Sequence, residues 1–262
     1  RENCLVCNFL EHTQAVNRLA VCPDQSFFGS ASSDGTVKIW QLSGLDRAPL
    51  PQSSLTYRRH RAPILELCSI ENSHSMASAD SKGAIHVWRV DIEPQAVASN
   101  AAVNSKISSQ SSLTVSGLGV MKEIATHEGL VAGLQHFNAE CASVVCYVTQ
   151  SGGLHGWDLR SSMEAFYFPM GPELGSATAM AISPDRTSWV VVGTSRGFIA
   201  LWDLRYNLMC RLWQHSSASP IWKLACSKSL SGMNSASPFS AAGSPALADT
   251  EGAYLFVAAG EK

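Results

Sequence analysis

Four times in this chain a β-rich run closes on a tryptophan with a glycine five residues before it: Gly35 and Trp40, Gly83 and Trp88, Gly152 and Trp157, Gly197 and Trp202. A glycine at a fixed offset ahead of an alternating, β-branched stretch predicts a tight turn feeding a strand. The tryptophans stand 48, 69 and 45 residues apart. Self-similarity at a period of about 40–45 residues, broken by one long insertion, points to small antiparallel sheets repeated in series rather than to stacked helices. With 262 residues and 45% hydrophobic content the chain is long and apolar enough for one large all-β domain.

The first copy is the most complete. Ser30-Ala31-Ser32-Ser33-Asp34-Gly35-Thr36-Val37-Lys38-Ile39-Trp40 reads as two strands around an Asp-Gly turn, the strongest short hairpin signal. Upstream, His12 precedes the alternating run Val16 to Val21. The span from His12 to Trp40 resembles a WD repeat, whose blades carry a GH…WD signature. In such repeats a His, a Ser or Thr, the turn Asp and the Trp form one buried hydrogen-bonded chain. The resemblance implies that lock here for His12, Ser30 (Ser32 as second choice), Asp34 and Trp40. A buried carboxylate without partners is costly, so these groups read as structural, with no nucleophile beside them to suggest catalysis.

The fold expected is an all-β WD-repeat β-propeller, here an incomplete arc of about four blades plus partial flanking ones. Blades are placed at about 12–59, 60–126, 127–174 and 175–214, with a partial blade over 215–262. The second opens at His60, the third at His127, and the fifth at His215 with strands Ile221 to Cys226 and Tyr254 to Ala259 but no third strand. Lys82, Ser151 and Arg196 stand where Asp34 stands in the first, so only the first unit is expected to keep the whole lock. Leu5 to Leu10 occupies the place of an outermost strand of a preceding blade, and both chain ends look cut. Two stretches, 93–119, rich in Ser, Ala and Asn, and 227–252, rich in Ser, Ala, Gly and Pro, predict disordered insertions, since neither offers enough apolar surface to offset ordering. Both would leave by the same face, so the opposite face, with the Asp-Gly turns, is the expected docking surface.

Composition narrows the function classes. A formal charge of −2, from 19 Lys+Arg against 21 Asp+Glu, gives no electrostatic case for nucleic acid. No apolar run is long enough to span a bilayer. Cys22, Cys68, Cys141, Cys146, Cys210 and Cys226 lie in or beside apolar runs and read as small buried hydrophobes of a reducing compartment. Cys4 and Cys7 form a C-x-x-C with no second Cys/His pair at ligand spacing, so no metal is assigned. His127-Glu128 begins like a zinc-protease helix, but Val131 stands where the second His belongs. No phosphate-binding glycine loop or nucleophile elbow is present, so no catalytic residue and no cofactor is assigned.

Two features suggest partners. Arg58-Arg59-His60-Arg61 is the sharpest basic cluster and would meet an acidic partner or an anionic headgroup through Arg58, Arg59 and Arg61. Trp157-Asp158-Leu159-Arg160 and Trp202-Asp203-Leu204-Arg205 are two W-D-x-R boxes. They resemble the motif by which some WD-repeat substrate receptors dock a cullin-type ubiquitin-ligase adaptor, with Arg160 and Arg205 as contacts.

The run Glu11 to Val21, then Asp24 to Phe28 and Ser30 to Trp40, is similar to the C-terminal WD-repeat domain of the vacuolar protein sorting-associated 15 family. Supporting stretches are Ser54 to Tyr57, Gly156 to Ser162, Gly193 to Gly197 and Leu201 to Tyr206, so the likeness covers nearly the whole chain outside the two insertions. Members are regulatory subunits of class III phosphatidylinositol 3-kinase. The resemblance implies a non-catalytic scaffold for the lipid kinase catalytic subunit and a Beclin-type subunit, supporting phosphatidylinositol 3-phosphate production in autophagy and endosomal or vacuolar sorting. It further implies a cytoplasmic location, peripheral to those membranes through the complex. The family's protein-kinase-like region has no counterpart in these residues.

Overall fold

The computed structural model describes residues 7–43, 45, 50–94, 113–139, 142–151, 153–161, 163–183, 189–227 and 254–260. The chain divides into two compact units, 1–169 and 170–262.

The first unit holds three four-stranded antiparallel sheets, each running up and down in chain order. The first is β1 (Val16–Val21), β2 (Phe27–Ser32), β3 (Val37–Gln41) and β4 (Leu55–Tyr57). The second is β5 (Ile64–Ser69), β6 (Ser75–Asp80), β7 (Ala84–Pro94) and β8 (Leu113–Ala125). The third is β9 (Val131–Asn138), β10 (Ser143–Thr149), β11 (Gly153–Asp158) and β12 (Glu164–Pro169). The leading strands β1, β5 and β9 neighbour one another, as the inner edges of consecutive propeller blades do.

Apolar residues close the gaps between sheets. Phe27, Ile39 and Tyr57 of the first sheet pack with Ile64, Leu67, Met76 and Trp88 of the second. Ala77, Ile85 and Val87 of the second pack with Val131, Leu134, Val145 and Tyr147 of the third. Sandwiched strands such as β6 are therefore buried at every position, not alternately, because both of their faces meet a neighbour. Each large side chain buried this way is worth about 1.5–3 kcal/mol. At Gly29 a Cβ would stand 2.9 Å from Met76 Cε and 3.2 Å from Leu67 Cδ2, so the second sheet approaches the backbone closely there.

In the second unit, β13 (Ala177–Ile182), β14 (Trp189–Thr194), β15 (Phe198–Asp203) and β16 (Leu208–Gln214) form one four-stranded sheet. It packs on the hairpin of β17 (Ile221–Ser227) and β18 (Tyr254–Ala259) through Ala179, Val191, Ile199, Ile221 and Leu224. The fold is an all-β WD-repeat propeller.

Three expectations are corrected. The stretch 93–119 is not disordered throughout: Leu113 to Gly119 belong to β8 and pair with β7, Glu93 opposite Thr114 and Ile92 opposite Val115. Val115, Leu118 and Val120 pack on the core between the first two sheets, and that apolar surface offsets the ordering entropy that the polar composition suggested would prevail. The remainder, 95–112, and nearly all of 227–252 lie outside the described residues. In the apolar run Leu5 to Leu10, the described part forms no strand; Phe9 instead sets its ring edge-on against Trp40, centroids 4.7 Å apart. Cys210 is exposed, because every residue of its strand β16 is, whereas Cys22, Cys68 and Cys146 are buried as expected. Cys4 and Cys141 lie outside the described residues.

Candidate functional site

The four residues of the first lock are brought together. Trp40 Nε1–H donates to Ser30 Oγ at 2.8 Å, and Ser30 Oγ lies 2.7 Å from His12 Nε2. His12 Nδ1 lies 2.8 Å from Asp34 Oδ2. A carboxylate only accepts, so His12 donates from Nδ1, while its Nε2 lies against both the Ser30 hydroxyl and, at 3.2 Å, the Ser30 carbonyl oxygen. Burial alone would raise the Asp34 carboxyl. Bonds from Thr36, His12 and the Thr13 amide outweigh it and hold the group down at about 2. Ser32 is not the lock residue; its hydroxyl donates to the Gln14 carbonyl.

The second sheet carries a complete lock as well, which corrects the expectation that Lys82 breaks it. Trp88 Nε1–H donates to Ser78 Oγ at 3.0 Å, Ser78 Oγ meets His60 Nε2 at 2.8 Å, and His60 Nδ1 meets Asp80 Oδ2 at 3.2 Å. Asp80 sits two residues before the turn position, at the end of β6. Its other oxygen accepts the Lys82 and Ala84 amides, much as Asp34 accepts that of Thr36. A carboxylate launched from either position reaches the same space between the histidine ring and the turn amides. Lys82 is simply exposed. A Ser-x-Asp ending the second strand was the signal in the sequence.

In the third sheet Tyr147 replaces the serine, and the buried Trp157 Nε1 has no hydrogen-bond partner. His127 is exposed, and the adjacent Glu128 does the work instead. Its carboxylate accepts from Thr149 Oγ1 at 2.6 Å and from His155 Nε2 at 2.9 Å. Burial opposes ionisation of Glu128, but those bonds hold its carboxyl below the usual range. Ser151 donates to the Glu128 carbonyl. In the fourth sheet Val192 holds the serine's place, and Arg196 donates to the Glu173 carbonyl at 2.9 Å.

Sequence reasoning missed the residue two before each of the first three blade tryptophans. Lys38, His86 and His155 are all buried there and all polar. Lys38 donates to Glu11 at 2.9 Å, His86 accepts from the Tyr57 hydroxyl at 2.8 Å, and His155 is held between Glu128 and Glu164. A second missed pair ties the inner strands: Arg18 of β1 makes a two-pronged bond to Glu66 of β5, both arms 2.7 Å. Burial pushes the Glu66 carboxyl up, and Arg18 works against that.

The polar groups of the first two locks are therefore paired among their own neighbours, a structural rather than catalytic arrangement. What remains for partners is on the surface. Arg58, Arg59 and Arg61 are exposed on the β4–β5 loop, while His60 between them turns inward to its lock. That loop lies at the same strand ends as the Asp-Gly turn, with Gly35 next to the Ala62 and His60 carbonyls. Arg160 follows β11 at the opposite strand ends of the first unit, so the structure does not bring it together with the basic loop.

Residues 3–41 match the family described as WD domain, G-beta repeat. Over 205 residues, 78% of this chain, the sequence is 38% identical to a protein of Dictyostelium discoideum named probable serine/threonine-protein kinase vps15. Over 222 residues, 84% of the chain, it is 33% identical to serine/threonine-protein kinase VPS15 of Arabidopsis thaliana. The chain belongs to the VPS15 family. It spans 10% and 14% of the length of those two VPS15 proteins. Their names carry a protein kinase, whereas the described residues here are WD-repeat sheets with no kinase domain among them. A solved chain, reported as the structure of U3-55K, superposes with a TM-score of 0.59 at 18% identity, covering 82% of this chain and 57% of that one. That likeness speaks for the fold alone.

Among the residues that VPS15 likeness draws in, the two W-D-x-R boxes differ in geometry. Asp158 accepts the Arg160 and Ser143 amides, tying off the strand end. Asp203 takes the Arg205 guanidinium itself through two bonds, 3.1 and 2.7 Å, so that side chain is folded back on its own strand.

Proposed function

We propose that this chain is a non-catalytic scaffold propeller acting as part of a class III phosphatidylinositol 3-kinase regulatory subunit. In this reading it holds the lipid kinase catalytic subunit and a Beclin-type subunit in one complex, and thereby supports phosphatidylinositol 3-phosphate production for autophagy and endosomal or vacuolar sorting. The complex would carry it to those membranes from the cytoplasm. The observation that carries the reading is the 33–38% identity to VPS15 proteins over most of the chain. The saturated polar locks support it, because they leave surface arginines rather than a reaction pocket as the means of acting on other molecules. The ubiquitin-ligase reading has weaker support, since the Arg205 guanidinium is already engaged by Asp203.

Co-purification from cells tests this. The full-length parent bearing Arg160→Ala and Arg205→Ala should still retain the lipid kinase and the Beclin-type subunit. Changing Arg58, Arg59 and Arg61 together to Glu should weaken retention of at least one of them. Loss of a cullin adaptor on the first change, with no lipid kinase bound to either protein, would overturn the scaffold reading.

A further inference from the structure

At the strand ends opposite the basic loop stands a cluster that the scaffold reading does not use. Cys22 and Asp24 come from the β1–β2 turn, and His74 from the β5–β6 turn of the next sheet. Cys22 Sγ, a carboxylate oxygen of Asp24 and a ring nitrogen of His74 all lie within 4.8 Å of one another. Metal–ligand bonds of about 2.0–2.3 Å place tetrahedral ligands about 3.3–3.8 Å apart, so the three donors need close by only about 1 Å.

The donors are held in place from behind. One Asp24 oxygen accepts both the Ser26 amide, 3.0 Å, and the Ser26 hydroxyl, 2.7 Å, which leaves the other oxygen to His74 Nε2 at 2.8 Å. The Cys22 amide donates to the Phe27 carbonyl and the Gln25 amide to the Cys22 carbonyl, both 2.9 Å, so the turn that carries the thiol is fixed. Cys22 is only 2% exposed, whereas the Asp24 and His74 side chains are 40% and 42% exposed. The thiol thus forms the floor of the cluster and the other two donors its solvent-facing rim. His74 also lines a polar cleft of about 720 Å³ with Ser73, Arg89 and Asp91.

We propose that Cys22, Asp24 and His74 bind one divalent cation of the zinc class, joining the first two blades. Thiolate, imidazole and carboxylate together suit a borderline cation and not magnesium or calcium, which take oxygen donors. Three protein ligands leave the fourth position to water. On binding, the sulfur–hydrogen bond of Cys22 breaks, its proton goes to solvent, and the sulfur–metal bond forms. The Asp24–His74 hydrogen bond opens, and His74 presents the Nε2 lone pair with its proton on Nδ1. No oxidation state changes.

Cobalt(II), a spectroscopic stand-in for zinc, tests the site in the full chain. The expected result is a near-ultraviolet thiolate-to-cobalt band with visible bands of tetrahedral cobalt, both removed by added zinc. Cys22→Ser should abolish the thiolate band, and His74→Ala and Asp24→Asn, both at the exposed rim, should each weaken cobalt binding at least about tenfold. Changing Cys4 and Cys7 to Ser should leave the band in place. No thiolate band, a band that survives Cys22→Ser, or a band that disappears with Cys4 and Cys7 would each overturn the assignment. The rim variants keep the test decisive if Cys22→Ser does not fold.

Discussion

The Tyr57 hydroxyl lies 2.8 Å from His86 Nδ1, joining the outermost strand of the first sheet to the third strand of the second. Around this bond the aromatic rings stack. Tyr57 lies parallel to Trp88 with centroids 4.7 Å apart, and His60 lies on His86 at 4.0 Å. Burial pushes the Tyr57 phenol up to about 12, so it stays protonated and donates. Burial likewise pushes His86 down, which keeps its ring neutral and able to accept. The second lock is thereby continuous with the interface between the two blades, since His60 belongs to it and stacks on the ring that Tyr57 holds.

Tyr57→Phe keeps the stacking on Trp88 and deletes the bond to His86. A buried acceptor left without its donor costs about 1–3 kcal/mol, so the variant should lose about 1–2 kcal/mol in urea unfolding. Tyr57→Ala, which also leaves a cavity between the sheets, should lose about 3–5 kcal/mol. No loss for Tyr57→Phe would show that the hydroxyl contributes nothing, and equal losses for the two variants that the ring adds nothing beyond the bond.

Stability should fall on acidification through a defined window. Burial depresses His60, with the nearby His86 adding to the effect against Asp80 and Glu123, and burial depresses His136; both sit at about 4. His136 accepts the Glu71 amide at Nδ1 and meets Ser143 Oγ at Nε2, so a second ring proton would face an N–H donor. Unfolded histidine titrates near about 6.5. Between about 6.5 and 4 the unfolded chain therefore binds protons that the folded chain refuses, and stability present above that window is lost as pH falls, approaching about 3 kcal/mol per histidine. Asp34, held at about 2, weakens the fold only at lower pH, below its unfolded value of about 3.9. Urea midpoints measured across the window should drop with pH, and less steeply in His136→Gln. A flat profile would contradict the neutral assignment of both rings.

Asp80, not Lys82, closes the second lock. Asp80→Ala leaves the His60 ring and two turn amides without their acceptor and should cost about 3 kcal/mol or more. Lys82→Ala, at an exposed turn, should stay within about 0.5 kcal/mol. Chemical denaturation of the two variants side by side decides between the positions, and the reverse order would restore the turn residue as the partner.

That example marks where sequence reading worked and where it stopped. The blades were legible because the Gly-to-Trp offset is imposed by the hairpin: Gly35, Gly83 and Gly197 all take positive φ, 78°, 87° and 76°, which other residues adopt only with strain. The first lock was legible because its residues keep the family spacing. Asp80 was not, since side-chain reach lets a carboxylate move two positions along the chain and still arrive at the same point. The start of strand β8 was hidden because it closes a stretch rich in Ser, Ala and Asn, although Val115, Leu118 and Val120 supply the apolar contacts. The Arg18–Glu66 and Tyr57–His86 pairs join residues 48 and 29 apart in sequence, and only the stacking of sheets reveals them. The Cys22, Asp24 and His74 cluster has the same origin, two turns of successive blades meeting at one end.

The tryptophans offer a last comparison, because similar positions differ in one bond. Trp40 Nε1–H has Ser30 as acceptor, while the buried Trp157 Nε1 has none because Tyr147 replaces the serine. Replacing either indole with phenylalanine removes similar apolar volume, but only at Trp40 does it also leave the Ser30 hydroxyl without a donor in a buried chain of bonds. At Trp157 the change removes an unsatisfied polar group, and the ring face that Lys122 covers at 4.6 Å is kept in part. Trp40→Phe should therefore destabilise the chain more than Trp157→Phe by about 1–2 kcal/mol. Urea unfolding followed by far-ultraviolet circular dichroism measures both without relying on tryptophan emission. Equal losses would mean that the lock adds nothing beyond packing, and that the serine in the first two blades is incidental to their stability.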